Sequence, residues 1–132
     1  MKKILGFILS SSLLVASSIK WQHDFQKAYD LALKEKKPLF IFIERVVPPC
    51  RWCHKMKTTT LQDPEIAQFI NQHFIAVILD RDTSEYPDDL FPQYVPTMYV
   101  LKEGTIIKRI IGYWPKEDFW SDLEDVKREL HR

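Results

Sequence analysis

The sequence places Cys50-Arg51-Trp52-Cys53 just after an uninterrupted apolar run, Leu39-Phe40-Ile41-Phe42-Ile43, and these are its only two cysteines. An apolar run of strand length suits a strand covered on both faces, so the rest of the chain has to supply a layer on either side of it. Two intervening residues put both sulfurs at the start of one helical turn, near enough for a disulfide without backbone movement. A Cys-x-x-Cys pair between a buried strand and a helix reads as a redox-active pair. A purely structural disulfide is the competing reading, but a bond across so short a loop removes little chain entropy.

The flanking segments supply the layers. Phe25, Ala28, Tyr29, Ala32 and Leu33 recur at helical spacing after a capping Asp24, and Pro38 ends that helix. A loop, Glu44-Arg45-Val46-Val47-Pro48-Pro49, leads to a helix expected from Cys50 to Thr58 or Leu61. Asp63-Pro64-Glu65 restarts a helix with a cap and a proline at its first position, and Ile66, Ala67, Phe69 and Ile70 form its apolar face. Phe74 to Leu79 is a second apolar strand, and Arg81 to Gln93 is polar loop. Thr97–Leu101 and Thr105–Ile111 flank Lys102-Glu103-Gly104 as a hairpin. Gly112 ends it, and Pro115 opens a last helix with Phe119, Leu123, Val126 and Leu130 on one side. The order α-β-α-α-β-loop-β-β-α predicts an α/β fold, a central mixed sheet of about four strands with helices on both faces and an extra helix at the N-terminus.

At 132 residues, with 45% hydrophobic residues and only three glycines, the chain fits a single folded domain. Its net charge is +1, and acids and bases are interspersed, which argues against a nucleic-acid footprint. Met1-Lys2-Lys3, the apolar stretch Ile4 to Val15 and the small residues Ala16-Ser17-Ser18 have the form of an export signal. The expected organisation is therefore a signal peptide over 1–18 and a domain over 19–132. The apolar stretch is shorter than the roughly 20 residues a membrane span needs, and an uncleaved anchor is the alternative. Export puts the domain in the periplasm, where disulfides persist.

Several motifs together resemble the thioredoxin fold, and more narrowly the exported thioredoxin-like proteins related to the C-terminal domain of the disulfide reductase DsbD and to SoxW. They are Trp21 ahead of an amphipathic helix and Lys37-Pro38, Cys50-Arg51-Trp52-Cys53-His54-Lys55-Met56, Val95-Pro96-Thr97, and Gly112-Tyr113 before a helix with Phe119. The resemblance implies a thiol–disulfide oxidoreductase, with Pro96 cis and Val95, Pro96 and Thr97 facing the disulfide to receive substrate. Two features depart from that group. Pro49 stands where an aromatic residue commonly precedes the first cysteine, and Phe42 falls where Lys37-Pro38 would place the group's buried acid.

Cys50, at a helix N-terminus, is the expected nucleophile, and Cys53 the residue that resolves the mixed disulfide. Glu44, six residues before Cys50, is the candidate proton acceptor for Cys53, with an exposed loop acid as its alternative. Arg51 and Trp52 are candidate substrate contacts. Arg51 also favours the Cys50 thiolate, and Trp52 alternatively packs on the domain. His54 is a candidate for redox tuning or a solvated surface residue. No cofactor beyond the Cys50–Cys53 disulfide is expected. The expected partners are protein thiols and disulfides and a membrane or periplasmic electron donor, with the protein a monomer. The favoured direction is reduction, with thiol oxidase or isomerase as alternatives. From a different class comes an exported copper- or zinc-binding module using Cys50, Cys53 and His54.

Overall fold

The computed structural model describes residues 18–132, so the expected leader lies outside it except for Ser18. The elements are β1 (Trp21–Gln22), α1 (Phe25–Glu35), β2 (Leu39–Glu44), α2 (Arg51–Thr58), α3 (Pro64–His73), β3 (Ile75–Asp80), β4 (Thr97–Lys102), β5 (Thr105–Ile111) and α4 (Lys116–Leu130). Single turns of 3₁₀ helix occupy Thr60–Gln62 and Asp88–Leu90. The sheet has the order β1-β3-β2-β4-β5. β1, β3 and β2 run parallel, while β4 is antiparallel to β2 and to β5. The sheet thus has the four expected strands and one more. The added one is a two-residue edge strand, in which Trp21 and Gln22 pair with Ala76 and Val77. Two residues are too few for any periodicity to show.

Alternation along β2 divides the core. Phe40 and Phe42 join Cys53, Met56, Ile66, Ile70, Phe119 and Leu123 on the face covered by α2, α3 and α4. Leu39, Ile41 and Ile43 join Phe25, Ala28 and Tyr99 on the face covered by α1. Every residue from Leu39 to Ile43 is at most 1% exposed, as a strand roofed on both sides requires. Phe40 has Trp21, Phe74 and Phe119 within about 6 Å, centroid to centroid, which makes it the aromatic centre of its face.

The helices begin and end where local chemistry dictates. The Asp24 carboxylate accepts the Lys27 N–H at 2.9 Å, and Lys36 closes α1 in the left-handed region. Leu33, expected on the buried face of α1, is 46% exposed, because it sits in the last turn and borders a cleft with Lys36 and Lys37. The helix expected from Cys50 to as far as Leu61 ends at Thr58. The hydroxyls of Thr58 and Thr59 bond back to the carbonyls of His54 and Lys55 at 2.9 and 2.6 Å, and Thr59 leaves helical geometry. Asp63 then caps α3 through the N–H groups of Glu65 and Ile66, with Pro64 at the first position. Glu103 and Gly104 both take positive φ, which sets the tight turn between β4 and β5.

Candidate active site: a disulfide opposite a cis-proline

β2 delivers the chain to the end of the sheet, and Val46 to Pro49 carry it to α2. Cys50 is the N-cap of α2 rather than its first helical residue. Its extended backbone turns the side chain back over the helix start, so Sγ accepts the Cys53 N–H at 3.1 Å. Cys50 and Cys53 form a disulfide with their Cα atoms 5.2 Å apart. Cys50 is partly exposed and Cys53 only 1% exposed. Of the two sulfurs, that of Cys50 is thus the one an incoming disulfide can reach. A sulfur that receives a backbone N–H at the positive end of a helix is stabilised as thiolate.

Opposite the sulfurs, the Val95–Pro96 bond is cis, as the resemblance implies. The Val95 carbonyl oxygen lies 3.8 Å from Cys50 Sγ. The segment is held from both sides. Gly112, at φ +90°, donates its N–H to the Pro96 carbonyl at 2.8 Å, and the Thr97 hydroxyl donates to the Tyr94 carbonyl at 2.6 Å. Thr97 is buried and opens β4 directly across from Ile43 of β2, which brings this loop beside Cys50. No side chain covers Cβ space at Gly112, so its φ is what calls for glycine.

The remaining predicted residues fall around this core in different ways. Trp52 is 48% exposed and leans on Tyr113, with ring centroids 6.0 Å apart. It therefore both packs and presents a surface. The Arg51 guanidinium lies over the Trp52 ring at 5.5 Å, and Lys55 sits over both rings, 5.5 Å from Trp52 and 4.9 Å from Tyr113. His54 is exposed on α2. Glu44 is neither free in solvent nor bonded to Cys53: its side chain is 12% exposed and its carboxylate meets Lys57 Nζ at 2.7 Å. Lys57 lies four residues after Cys53 and so shares its helix face. The ion pair thus occupies the next turn of α2 along from the buried sulfur. Arg45 donates to the Pro48 and Pro49 carbonyls at 2.8 and 3.3 Å and shapes the loop that leaves Val46 and Val47 exposed.

Sequence reasoning did not single out Lys55, Lys57 or a functional part for Tyr113. Lys55 could have been found from its three-residue spacing to Trp52. The Glu44–Lys57 pair, thirteen residues apart, left no local signal. Among the described residues, no group of three or more His, Cys, Asp and Glu is arranged to hold a metal ion. Chemically, the arrangement is a thiol–disulfide exchange centre, with a reachable sulfur at a helix N-terminus, a second sulfur buried behind it, and a fixed backbone segment across from both.

Comparison with known proteins agrees with this geometry. Residues 9–120 match the family Thioredox_DsbH, described as "Protein of unknown function, DUF255". Spermatogenesis-associated protein 20 of Mus musculus is 34% identical over 77 residues, which are 58% of this chain and 10% of that protein. An uncharacterized Caenorhabditis elegans protein is 29% identical over 109 residues, 82% of this chain and 13% of that one. The chain thus spans about a tenth of the length of these curated relatives. Among solved structures, a Thermus thermophilus thioredoxin superposes with a TM-score of 0.70 at 23% identity, covering 83% of this chain and 87% of the other. A structure titled "DsbH Oxidoreductase" gives 0.66 at 20% identity, with 91% and 92% covered. At these identities the structures show the thioredoxin fold, and the family match carries the assignment: the chain belongs to the Thioredox_DsbH (DUF255) family.

Proposed function

We propose that the protein is a thiol–disulfide oxidoreductase that reduces protein disulfides in the periplasm. The observation that carries this reading is the unequal exposure of the two sulfurs, with Cys50 reachable under the Cys53 N–H and Cys53 buried behind it. In one cycle the Cys50 thiolate attacks a substrate disulfide, forming a mixed disulfide and expelling one substrate thiolate. Cys53, deprotonated with Glu44 as acceptor, then attacks Cys50 Sγ. That step releases the second substrate thiolate and leaves the Cys50–Cys53 disulfide, two electrons having passed to the substrate. A membrane or periplasmic donor returns those electrons. The protein acts as a monomer, and no cofactor beyond the disulfide takes part.

The reducing direction is supported by the place of Arg51. A cation directed at Cys50 would stabilise its thiolate and make the pair more oxidising, but the Arg51 guanidinium lies over Trp52 instead. The leader-like start, Met1 to Ser18, supports export, with 19–132 as the working domain. The test is the equilibrium reduction potential of the Cys50–Cys53 pair against glutathione. A value near or below about −230 mV is expected for a reductant, whereas about −120 to −180 mV would make the protein an oxidant or isomerase. Failure to form a reversible disulfide would overturn the redox reading altogether.

A further inference from the structure

The end of the sheet opposite the disulfide carries a surface that exchange chemistry does not use. There, a cleft of about 280 Å³ is lined by Lys36, Lys37, Lys102 and Lys127, with His73 and His131 beside them. Its walls also include Phe69, Phe74 and Leu130, and no acid lines it. Glu35 lies 3.9 Å from Lys37, and Glu103 borders the adjoining cleft with the exposed Leu33. Lys127 sits over the Phe69 ring at 5.9 Å rather than on a carboxylate. Burial first, and then the charges of Lys127, Lys37 and His131, hold the His73 imidazole below its usual pKa.

The chain also enters the domain here. Asn71, next to that cleft on α3, donates to the Ser18 carbonyl at 2.7 Å and accepts the Lys20 N–H at 2.9 Å. Lys37 Nζ reaches the Asn71 carbonyl at 3.5 Å. Residues 1–17, which precede this anchored point, contain Lys2, Lys3 and the apolar stretch Ile4 to Val15. The described chain therefore begins beside this cationic cleft, and the exposed Leu33 lines the cleft adjoining it. Lysines beside apolar side chains suit the boundary between anionic headgroups and acyl chains.

We propose that this lysine-lined pole is a docking surface for an anionic membrane, holding the domain against the lipid with the disulfide turned outward. β2, six residues long, separates the two ends by about 20 Å, so Cys50 stays open to protein partners while the other pole rests on headgroups. The inference stands on the lysines and on the anchored Ser18–Lys20 segment, not on the redox reading.

The test is flotation of the full chain with vesicles of phosphatidylcholine alone and with 30 mol% phosphatidylglycerol added. Residues 1–17 are present in every sample, so the readout is the ratio between the two vesicles. Each lysine near an anionic surface contributes about fivefold to partitioning, so Lys36→Gln/Lys102→Gln/Lys127→Gln lowers the anionic-to-neutral ratio by on the order of a hundredfold. Lys27→Gln/Lys55→Gln/Arg109→Gln removes equal charge elsewhere and keeps the ratio. Circular dichroism establishes that both variants fold, and if either does not, the single variants Lys102→Gln and Lys127→Gln replace the triple. Equal loss in the two triples would overturn the proposal, as would equal binding of the wild type to both vesicles. Abolition of binding by 10 mM inorganic phosphate at constant ionic strength would overturn it too, by making the cleft a free-anion site. On vesicles, dithiothreitol should reduce the Cys50–Cys53 disulfide at its solution rate, and protection would reverse the proposed orientation.

Discussion

At the carboxyl end of β2, the groups around the disulfide are held by specific bonds, two of them between residues more than ten positions apart. Gly112 grips Pro96, Lys57 pairs with Glu44, and Arg45 fixes its own loop. At the amino end of the same strand, lysines stand around a cleft with little to bind them. One strand supplies both ends, so the difference lies in the segments gathered around each. The first end is built to hold atoms in fixed positions, and the second presents charge with few positional demands. Exchange between sulfurs needs a fixed line of approach. Adsorption to a charged sheet of lipid needs only enough charge on one side.

Substitutions at the disulfide end should have the largest effects. Cys50→Ser should abolish turnover and leave no covalent complex. Cys53→Ser should also stop turnover but accumulate the mixed disulfide, visible on a non-reducing gel. The opposite pattern would exchange the roles drawn from their exposure. Next comes the core that joins the two ends. Phe40→Ala empties a fully buried aromatic site and should cost about 3–5 kcal/mol in denaturant unfolding. Both poles should melt together, and separate transitions would show that the sheet does not couple them.

Glu44→Gln should slow exchange by on the order of a hundredfold if Glu44 takes the Cys53 proton. Lys57→Met, which removes only its ion-pair partner, should slow it far less. Equal effects would reduce Glu44 to a structural partner of Lys57. Away from both ends, Asp63 caps α3 and its carboxylate also meets Lys116 at 3.1 Å. Burial works against its charge, but the Ile66 N–H, Lys116 and the Glu65 N–H outweigh it and hold its pKa below 3.8. Its contribution is therefore present above about pH 3.8 and lost as the pH falls through the lower folded value. Asp63→Ala should cost about 1 kcal/mol at neutral pH and flatten that acid limb in urea titrations.

The smallest effect belongs to His73 at the lysine pole. Its folded pKa lies below 6.5, so the unfolded chain binds more protons there and stability falls as pH drops below about 6.5. His73→Gln should remove this slope. Adding anionic vesicles to the wild type should shallow it, since headgroups offset the lysine field. That result would sharpen the contrast between the poles.

Much of this could be read from local chemistry in the sequence. The β2 run, the Asp24 and Asp63 caps with Pro64, and the hairpin at Glu103-Gly104 each carry their signal within a few residues, and all appear in the structure. So does the Cys50–Cys53 bond. What escaped depends on partners distant along the chain or on very short elements. β1 is two residues long. The Thr60 hydroxyl bonds the Trp114 carbonyl 54 positions away. Glu44 meets Lys57 only because β2 and α2 come together in space. The lysine pole gathers Lys36, Lys102 and Lys127 from three separate elements, and no sequence window contains them all.

The grip of Gly112 on Pro96 and of Thr97 on Tyr94 has a consequence for partner choice. Backbone that is already immobile gives up almost no freedom when something settles against it, so the ordering entropy of a complex falls on the partner's side. Partners whose cystine lies in a short, stiff loop would then associate more readily than equally reactive ones in floppy tails. Selectivity in this protein would follow the stiffness of what it meets.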